Sequence, residues 1–254
     1  MKKLFITAFI TSGLLFFSSC KKALDYTPTG VLSSSDLTSP TAIEGLVTAA
    51  YAAIGSIYSN WVYGSVHSDD AYKGGGGTGD VGEIDAIEHY NLVTPTMGAF
   101  VSRTWQNLFK SISRANVALR AVNTLDEAAF PQKTTRLAEL RFLRAHSYFT
   151  MKLLYKNIPI FDENATDEEI LATSNDLSND DSWNKIADDF QFAIDNLPET
   201  QPDLARANKL AAQAYLAKLR LYQAYEQDAT HKVTSINTTR LQEVVTLTQA
   251  VIAS

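Results

Sequence analysis

Between Thr134 and Phe161 the chain reads TTRLAELRFLRAHSYFTMKLLYKNIPIF, and from Thr135 to Lys156 it contains no Gly and no Pro. Good helix formers dominate the stretch. Leu140, Leu143, Met151 and Leu154 recur at three- and four-residue steps, interrupted once by Ser147, and Phe142, Ala145 and Phe149 form a second apolar row. Two rows make a stripe too wide for a surface helix, so other helices must wrap this one. Pro159 cannot continue a helix and pushes Ile158 to extended geometry, which predicts an end near Asn157. Asn157 is suited to the left-handed cap that often closes a helix.

The wording of this stretch resembles a signature of the SusD/RagB family of glycan-uptake lipoproteins, read loosely as A-E-x-R-F-L-R-A-x-x-Y-F followed by a Gly-rich turn and V/I-P-L. Here the matching residues are Ala138, Glu139, Arg141, Phe142, Leu143, Arg144, Ala145, Tyr148 and Phe149, then Ile158, Pro159 and Ile160. Lys156 and Asn157 stand where the family usually has Gly.

Residues 1–19 read as a secretory signal: Lys2 and Lys3 precede an apolar run from Leu4 to Phe17 that is too short, with these flanks, for a spanning helix. Ser18 and Ser19 directly before Cys20 make the pattern of a bacterial lipoprotein signal. Cys20 is the single cysteine, so it has no internal disulfide partner, and lipidation supplies its reason. Two or more acyl chains anchor stably where one binds only marginally. Residues 20–40, with Pro28, Gly30, Pro40 and Ser33 to Ser35, read as a lipidated tether. Lys21 and Lys22 follow the Cys where surface-export signals of such proteins tend to be acidic, yet cell-surface display remains the expectation.

Residues 41–254 are expected to form one helical domain. A first helix spans Thr41 to Tyr58, with Ile43, Leu46, Val47, Ala50, Tyr51, Ile54, Ile57 and Tyr58 on its apolar face. Ser59 to Gly98 then loses all helical period; a loop of that length is usually functional or disordered. It carries Trp61, Tyr63, His67, Asp69, Asp70 and Tyr72, then Gly74 to Gly77 in a row. The family has a matching S-D-D-x-x-x-G-G stretch, present here as Ser68, Asp69, Asp70, Gly74 and Gly75. Ala99 to Leu125 is helical again, with Trp105, Phe109, Ile112 and Asn116 on one face. A buried amide must be satisfied, so Asn116 should bond a neighbouring helix or loop. Ser182 to Asn196 has the spacing of the first helix of a tetratricopeptide repeat in Trp183, Ile186, Ala187 and Phe190. Ala205 to Glu226 and Thr239 to Ser254 complete the array; the family's R-x-x-K-x-A-A-x-A run falls on Arg206, Lys209, Ala211, Ala212 and Ala214. The resemblance covers the whole chain and roughly half of the family's length, so the chain is expected to be a truncated N-terminal part whose usual second half packs on the repeats and completes the ligand site.

Composition and motifs exclude much. The formal charge of -6 becomes -8 once Lys2 and Lys3 leave with the signal, and no basic patch appears, which argues against a nucleic-acid partner. There is no Gly-x-Ser-x-Gly, HExxH, P-loop or CxxC. Asp69 and Asp70 are adjacent, and neighbours on an extended chain point apart, whereas glycoside hydrolysis needs two carboxylates facing across one bond. No enzyme activity and no cofactor are therefore expected. Asp80, Glu83 and Asp85 could offer oxygen ligands to Ca²⁺, with a solvated acidic loop as the preferred reading; His67 and His89 lack metal-ligand spacing, and no metal site is expected. Arg141 and Arg144 could bind an anion, or tie helix to loop through carboxylates that include Glu139.

The expectation is an all-α, tetratricopeptide-like helical repeat array with a long irregular loop after its first helix. By resemblance it is an outer-membrane lipoprotein that binds a nutrient glycan, or less often a peptide, and delivers it to a SusC-type TonB-dependent porin. Trp61, Tyr63 and Tyr72 would offer flat rings to a sugar face, with His67, Asp69 and Asp70 reaching the hydroxyls. Trp61 could instead pack the loop onto the first helix. The alternative function is a lipid-anchored helical-repeat scaffold that binds protein partners only.

Overall fold

A computed structural model describes residues 39–55, 61–91, 95–228 and 230–254, which belong to one unit, Ser39–Ser254. The signal sequence, Cys20, nearly all of the tether, and Ile57 and Tyr58 of the expected first helix lie outside the described residues.

Helix α1 spans Pro40–Gly55. Ser39 caps it: its Oγ accepts from the Ala42 amide at 3.2 Å, and Pro40 occupies the position where a missing N–H costs nothing. Its buried face is Ile43, Val47, Ala50 and Ala53. The stretch expected to be irregular is partly regular. Val62–Val66 forms one π-helical turn, closed by His67 N–H donating to the Val62 carbonyl at 3.0 Å, and Gly82–Glu88 forms a short helix, α2. Five and seven residues are too few to declare a helical period against the glycines around them. Helix α3 runs Pro95–Asn123, beginning before the expected Ala99 because Gly98 is tolerated inside it.

Helix α4, Lys133–Tyr155, is the centre of the array. Thirteen of its residues from Ala138 to Lys152 are buried, on every side, as its double apolar row required. It packs against α1, α3 and the next long helix, α6, Asn179–Asn196. Its end differs from expectation: Lys156, not Asn157, takes the positive φ, at 59° with ψ -67°. Asn157 N–H donates to the Tyr155 carbonyl at 2.7 Å, closing a γ-turn of the rare, strained kind. A six-residue helix α5, Asp167–Ala172, was not anticipated, although Thr166 and Glu169 form a full capping box. Helix α7 covers Lys209–Ala224, starting later than Ala205 because Asn208 is its cap, with Oδ1 accepting from Ala211 N–H at 2.8 Å. A short antiparallel ribbon follows, β1 (Tyr225–Gln227) with β2 (Val233–Ile236), so Glu226 is strand rather than helix. Helix α8, Thr238–Ile252, packs on α7 and has no buried residue.

The helices α1, α3, α4, α6, α7 and α8 thus stack each on the one before, the architecture of a tetratricopeptide-like array. One apolar core runs through α1, α3, α4, α6 and α7. A separate small core, Val62, Val66, Ile84, Ile87 and Phe100, holds the 61–91 segment onto the start of α3.

Candidate functional site

The 61–91 segment is built around one ammonium group. The Lys73 side chain is only 2% exposed, and its Nζ donates to the carbonyls of Gly77 (2.8 Å) and Asp80 (2.6 Å) while standing 3.5 Å from Asp85 Oδ1. The chain must curl tightly to bring two carbonyls to one nitrogen, and Gly74, Gly75 and Gly77 do so with φ of 72°, 83° and 127°. At Gly75 a Cβ would lie 2.2 Å from Asp80 Oδ2, which accepts from the Gly76 amide at 2.9 Å. The acidic residues are therefore committed individually: Asp80 to Gly76, Glu83 to Arg103, and Asp85 to Lys73 and His89. Among the described residues no group of His, Cys, Asp or Glu could hold a metal ion.

The six residues singled out in the sequence take different positions on this segment. Trp61 is 44% exposed and Tyr72 74% exposed. Tyr63 turns toward the small core: its ring packs at 5.5 Å from Phe100 and its hydroxyl reaches Thr104 Oγ1 at 3.4 Å. Burial pushes the Tyr63 phenol above its ordinary value. The His67 ring lies 4.6 Å from that of Tyr90, tilted by 41°, and the Tyr90 hydroxyl donates to the His67 carbonyl. Asp70 accepts from Ser68 Oγ at 3.1 Å, and Asp69 sits at φ 64°. Val81 is also left-handed, at φ 51°, an uncommon state for a β-branched residue that marks local strain.

The charged letters of the signature have other work. Arg144, nearly fully buried, places Nε and Nη2 on Asp189 at 2.7 and 2.8 Å, and Nη1 on Asn116 (2.8 Å) and Glu163 (2.5 Å). Asn116 is thus satisfied across a helix interface, as expected. The tie from helix to loop also exists, but its carboxylate is Glu163 rather than Glu139, and Asp189 adds a tie to helix α6. Burial alone would raise the Glu163 carboxyl, yet the Arg144 charge and hydrogen bond hold it below its ordinary value. Burial pushes Asp189 up, against the pull of the same guanidinium. Glu139, fully buried, is the hub of a second network: it accepts from Arg136 (2.6 Å), Arg206 (2.9 Å), Tyr51 (3.0 Å) and Gln201 (3.2 Å). Glu44 on α1 meets the same two arginines. Sequence reading missed Lys73, Glu163 and Asp189, because their partners are distant in the chain or are backbone carbonyls that carry no residue signal.

Comparison with known proteins places this geometry. A family profile described as SusD-like, "Starch-binding associating with outer membrane", matches residues 24–221. The chain belongs to that family. A SusD-like protein of Bacteroides ovatus is 27% identical over 219 residues, covering 83% of this chain and 38% of that protein. The SusD-like protein P25 of Formosa agariphila is 26% identical over 242 residues, covering 87% and 44%. A solved structure of a laminarin-binding SusD-like protein superposes with a TM-score of 0.63 at 22% identity, covering 84% of this chain and 43% of that one. The chain therefore spans only 38% and 44% of the length of these curated relatives. No described helix is long and apolar enough to cross a membrane.

Proposed function

We propose that this chain belongs to a cell-surface lipoprotein of the outer membrane that captures a nutrient glycan and passes it to a SusC-type TonB-dependent transporter. It works by binding and delivery, with no bond made or broken. In this reading residues 1–19 are removed, Cys20 carries the lipid, residues 20–40 are the tether, and the helical array from residue 41 presents the 61–91 segment.

The observation that carries the glycan reading is the pair of exposed rings, Trp61 and Tyr72, on a segment locked by Lys73 and strained at Asp69 and Val81. Exposed aromatic rings with polar residues close in the chain suit the apolar face of a sugar ring, and strained backbone concentrates at functional sites. His67, Asp69 and Asp70 supply the neighbouring polar groups, while Tyr63 anchors the turn. The family's starch-binding description and the laminarin-binding relative favour the same ligand class.

Calorimetric titration with laminarin and malto-oligosaccharides tests this. Trp61→Ala should weaken binding by roughly 1–3 kcal/mol, by analogy with ring stacking on bases, while the melting temperature barely moves. Unchanged affinity with a stability loss of about 3–5 kcal/mol would make Trp61 a packing residue and remove the segment from the site. Incorporation of labelled fatty acid, lost in Cys20→Ala, tests the anchor.

A further inference from the structure

A cavity of about 720 Å³ lies between α4, residues 160–165, α5 and α6, and none of its lining residues comes from the 61–91 segment. Its size is in the range of small-ligand pockets. The Arg144 network forms part of its wall. Beside it stands Arg141, 32% exposed, whose guanidinium lies 4.2 Å over the Phe192 ring. Arg141 makes no side-chain hydrogen bond among the described residues. Its Nη2 stands 3.8 Å from Glu163 Oε1, and its Nη1 stands 3.8 Å from Asp189 Oδ1. Both separations are too long for a direct hydrogen bond.

We propose that this cleft is a second saccharide subsite, in which Arg141 with Glu163 and Asp189 grips two neighbouring hydroxyls of a neutral sugar. A hydroxyl oxygen can sit at about 2.8 Å from both members of a pair separated this way, accepting from the guanidinium and donating to the carboxylate. Two such gaps on one planar guanidinium match a vicinal diol. Charge narrows the ligand class: Arg141 and Arg144 offset Glu163 and Asp189 at the grip itself, while Asp162, Glu169 and Asp188 outweigh Lys185 around it, so the wall disfavours an anion and the grip suits neutral hydroxyls. Ile160, Phe161 and Tyr148 give the same cleft an apolar wall for ring carbons. Stacking on Phe192 fixes the guanidinium before ligand arrives, which lowers the ordering cost of binding. The ligand class rests on the glycan reading above; the location does not.

The test is protein-observed NMR on the full ¹⁵N-labelled chain titrated with D-glucose to the tens of millimolar, following the Arg141 Nε–H and the Thr173 and Lys185 amides. Saturable shifts are expected. Arg141→Met, which keeps the stem but removes the donors, should weaken them about tenfold or more, the consequence of losing a charge-assisted hydrogen bond. Arg141→Lys, which keeps the charge but cannot fill both gaps, should weaken them as well, and stands in if the Met variant folds poorly. The subsite is overturned by an absence of saturable shifts at Arg141, by shifts that survive both substitutions, or by inorganic phosphate saturating the same signals at lower concentration than glucose. The Trp61 indole N–H, titrated with laminarin oligosaccharides in the same sample, reports the 61–91 segment separately, so either site can fail while the other stands.

Discussion

Replacing Arg144 with Met should cost this protein about 3–5 kcal/mol, the range seen when one partner of a buried ion pair is removed. The structure sets that scale. Four charge-assisted hydrogen bonds end on one guanidinium, and each such bond contributes roughly 1.5–3 kcal/mol when counted alone. Their simple sum overshoots, because Asp189 and Glu163 can relax or take up protons once the cation is gone. The pH dependence carries the sign. In the wild type Glu163 is held below its ordinary pKa, so its contribution is complete above the ordinary carboxylate range and is lost as pH falls through the lowered folded value. In Arg144→Met the same carboxyl loses its hydrogen-bonded cation and keeps only the Arg141 charge at 3.8 Å, so burial pushes its pKa up. The variant is therefore least handicapped in acid, and its deficit grows as pH rises toward neutrality. Urea unfolding at pH 4.5 and pH 7, with m unchanged, measures both quantities. Arg144→Lys should recover only part of the loss, because a single ammonium cannot span the fork presented by Asp189. A deficit below about 1 kcal/mol at pH 7, or one that widens on acidification, would refute the network as a stabilising unit.

Lys156→Gly should stabilise the fold by about 1 kcal/mol, the strain of a positive φ less the entropy of a glycine, and should let the Lys152 amine, lowered to about 8 by burial and secondarily by the Lys156 charge, rise in part; a destabilised variant would mean the γ-turn is not strained. Burial, reinforced by Lys218, lowers the His146 imidazole to about 4, so the stability from keeping it neutral is complete above its unfolded value near 6.5 and is lost as pH falls through 4. His146→Phe should flatten the urea midpoint across that window, and an unchanged acid slope would assign the slope to the carboxylates instead. In the glycine run, Gly75→Ala should speed amide exchange across residues 73–80 because it meets both strain and Asp80, whereas Gly76→Ala, with open space and no positive φ, should leave exchange as it is; equal effects would count against the Lys73-centred loop.

The fold was legible where local pattern decides it. The double apolar row of α4, the aromatic spacing of α6 and the alanines of α7 each imposed a helix and a partner. Boundaries failed where a side-chain cap or strain overrode propensity: Asn208 delayed α7, and Lys156 took the left-handed turn that an Asn adopts more readily. The two short helical pieces at Val62–Val66 and Gly82–Glu88 escaped notice because they owe their form to a small core with Phe100, a contact across the chain rather than a period within it. The candidate site was legible only as composition. Six residues stood out as unneeded by a helical core, but nothing in their order separated Tyr63, which packs inward, from Trp61 and Tyr72, which face solvent. Lys73 carried no signal at all, since two of its partners are carbonyls.

The signature that identifies the family says little about what the protein binds, and the structure gives the physical reason. Glu139 and Arg144 lie on the most enclosed helix of the array, where an ionised group survives only if every lone pair and N–H is matched. Each is matched by residues from other elements: Arg206 and Gln201, on the connection between α6 and α7, for Glu139, and Asp189 of α6 for Arg144. Such a network fixes which elements meet and in what register, a role that does not depend on the ligand. Ligand choice must then come from groups the scaffold does not need. Trp61 and Tyr72 meet that description by exposure, and Arg141 meets it by having donors that no described residue accepts. Arg141 is the one charged residue of the signature helix motif left in that condition, which is why a single substitution there separates a scaffold letter from a binding one.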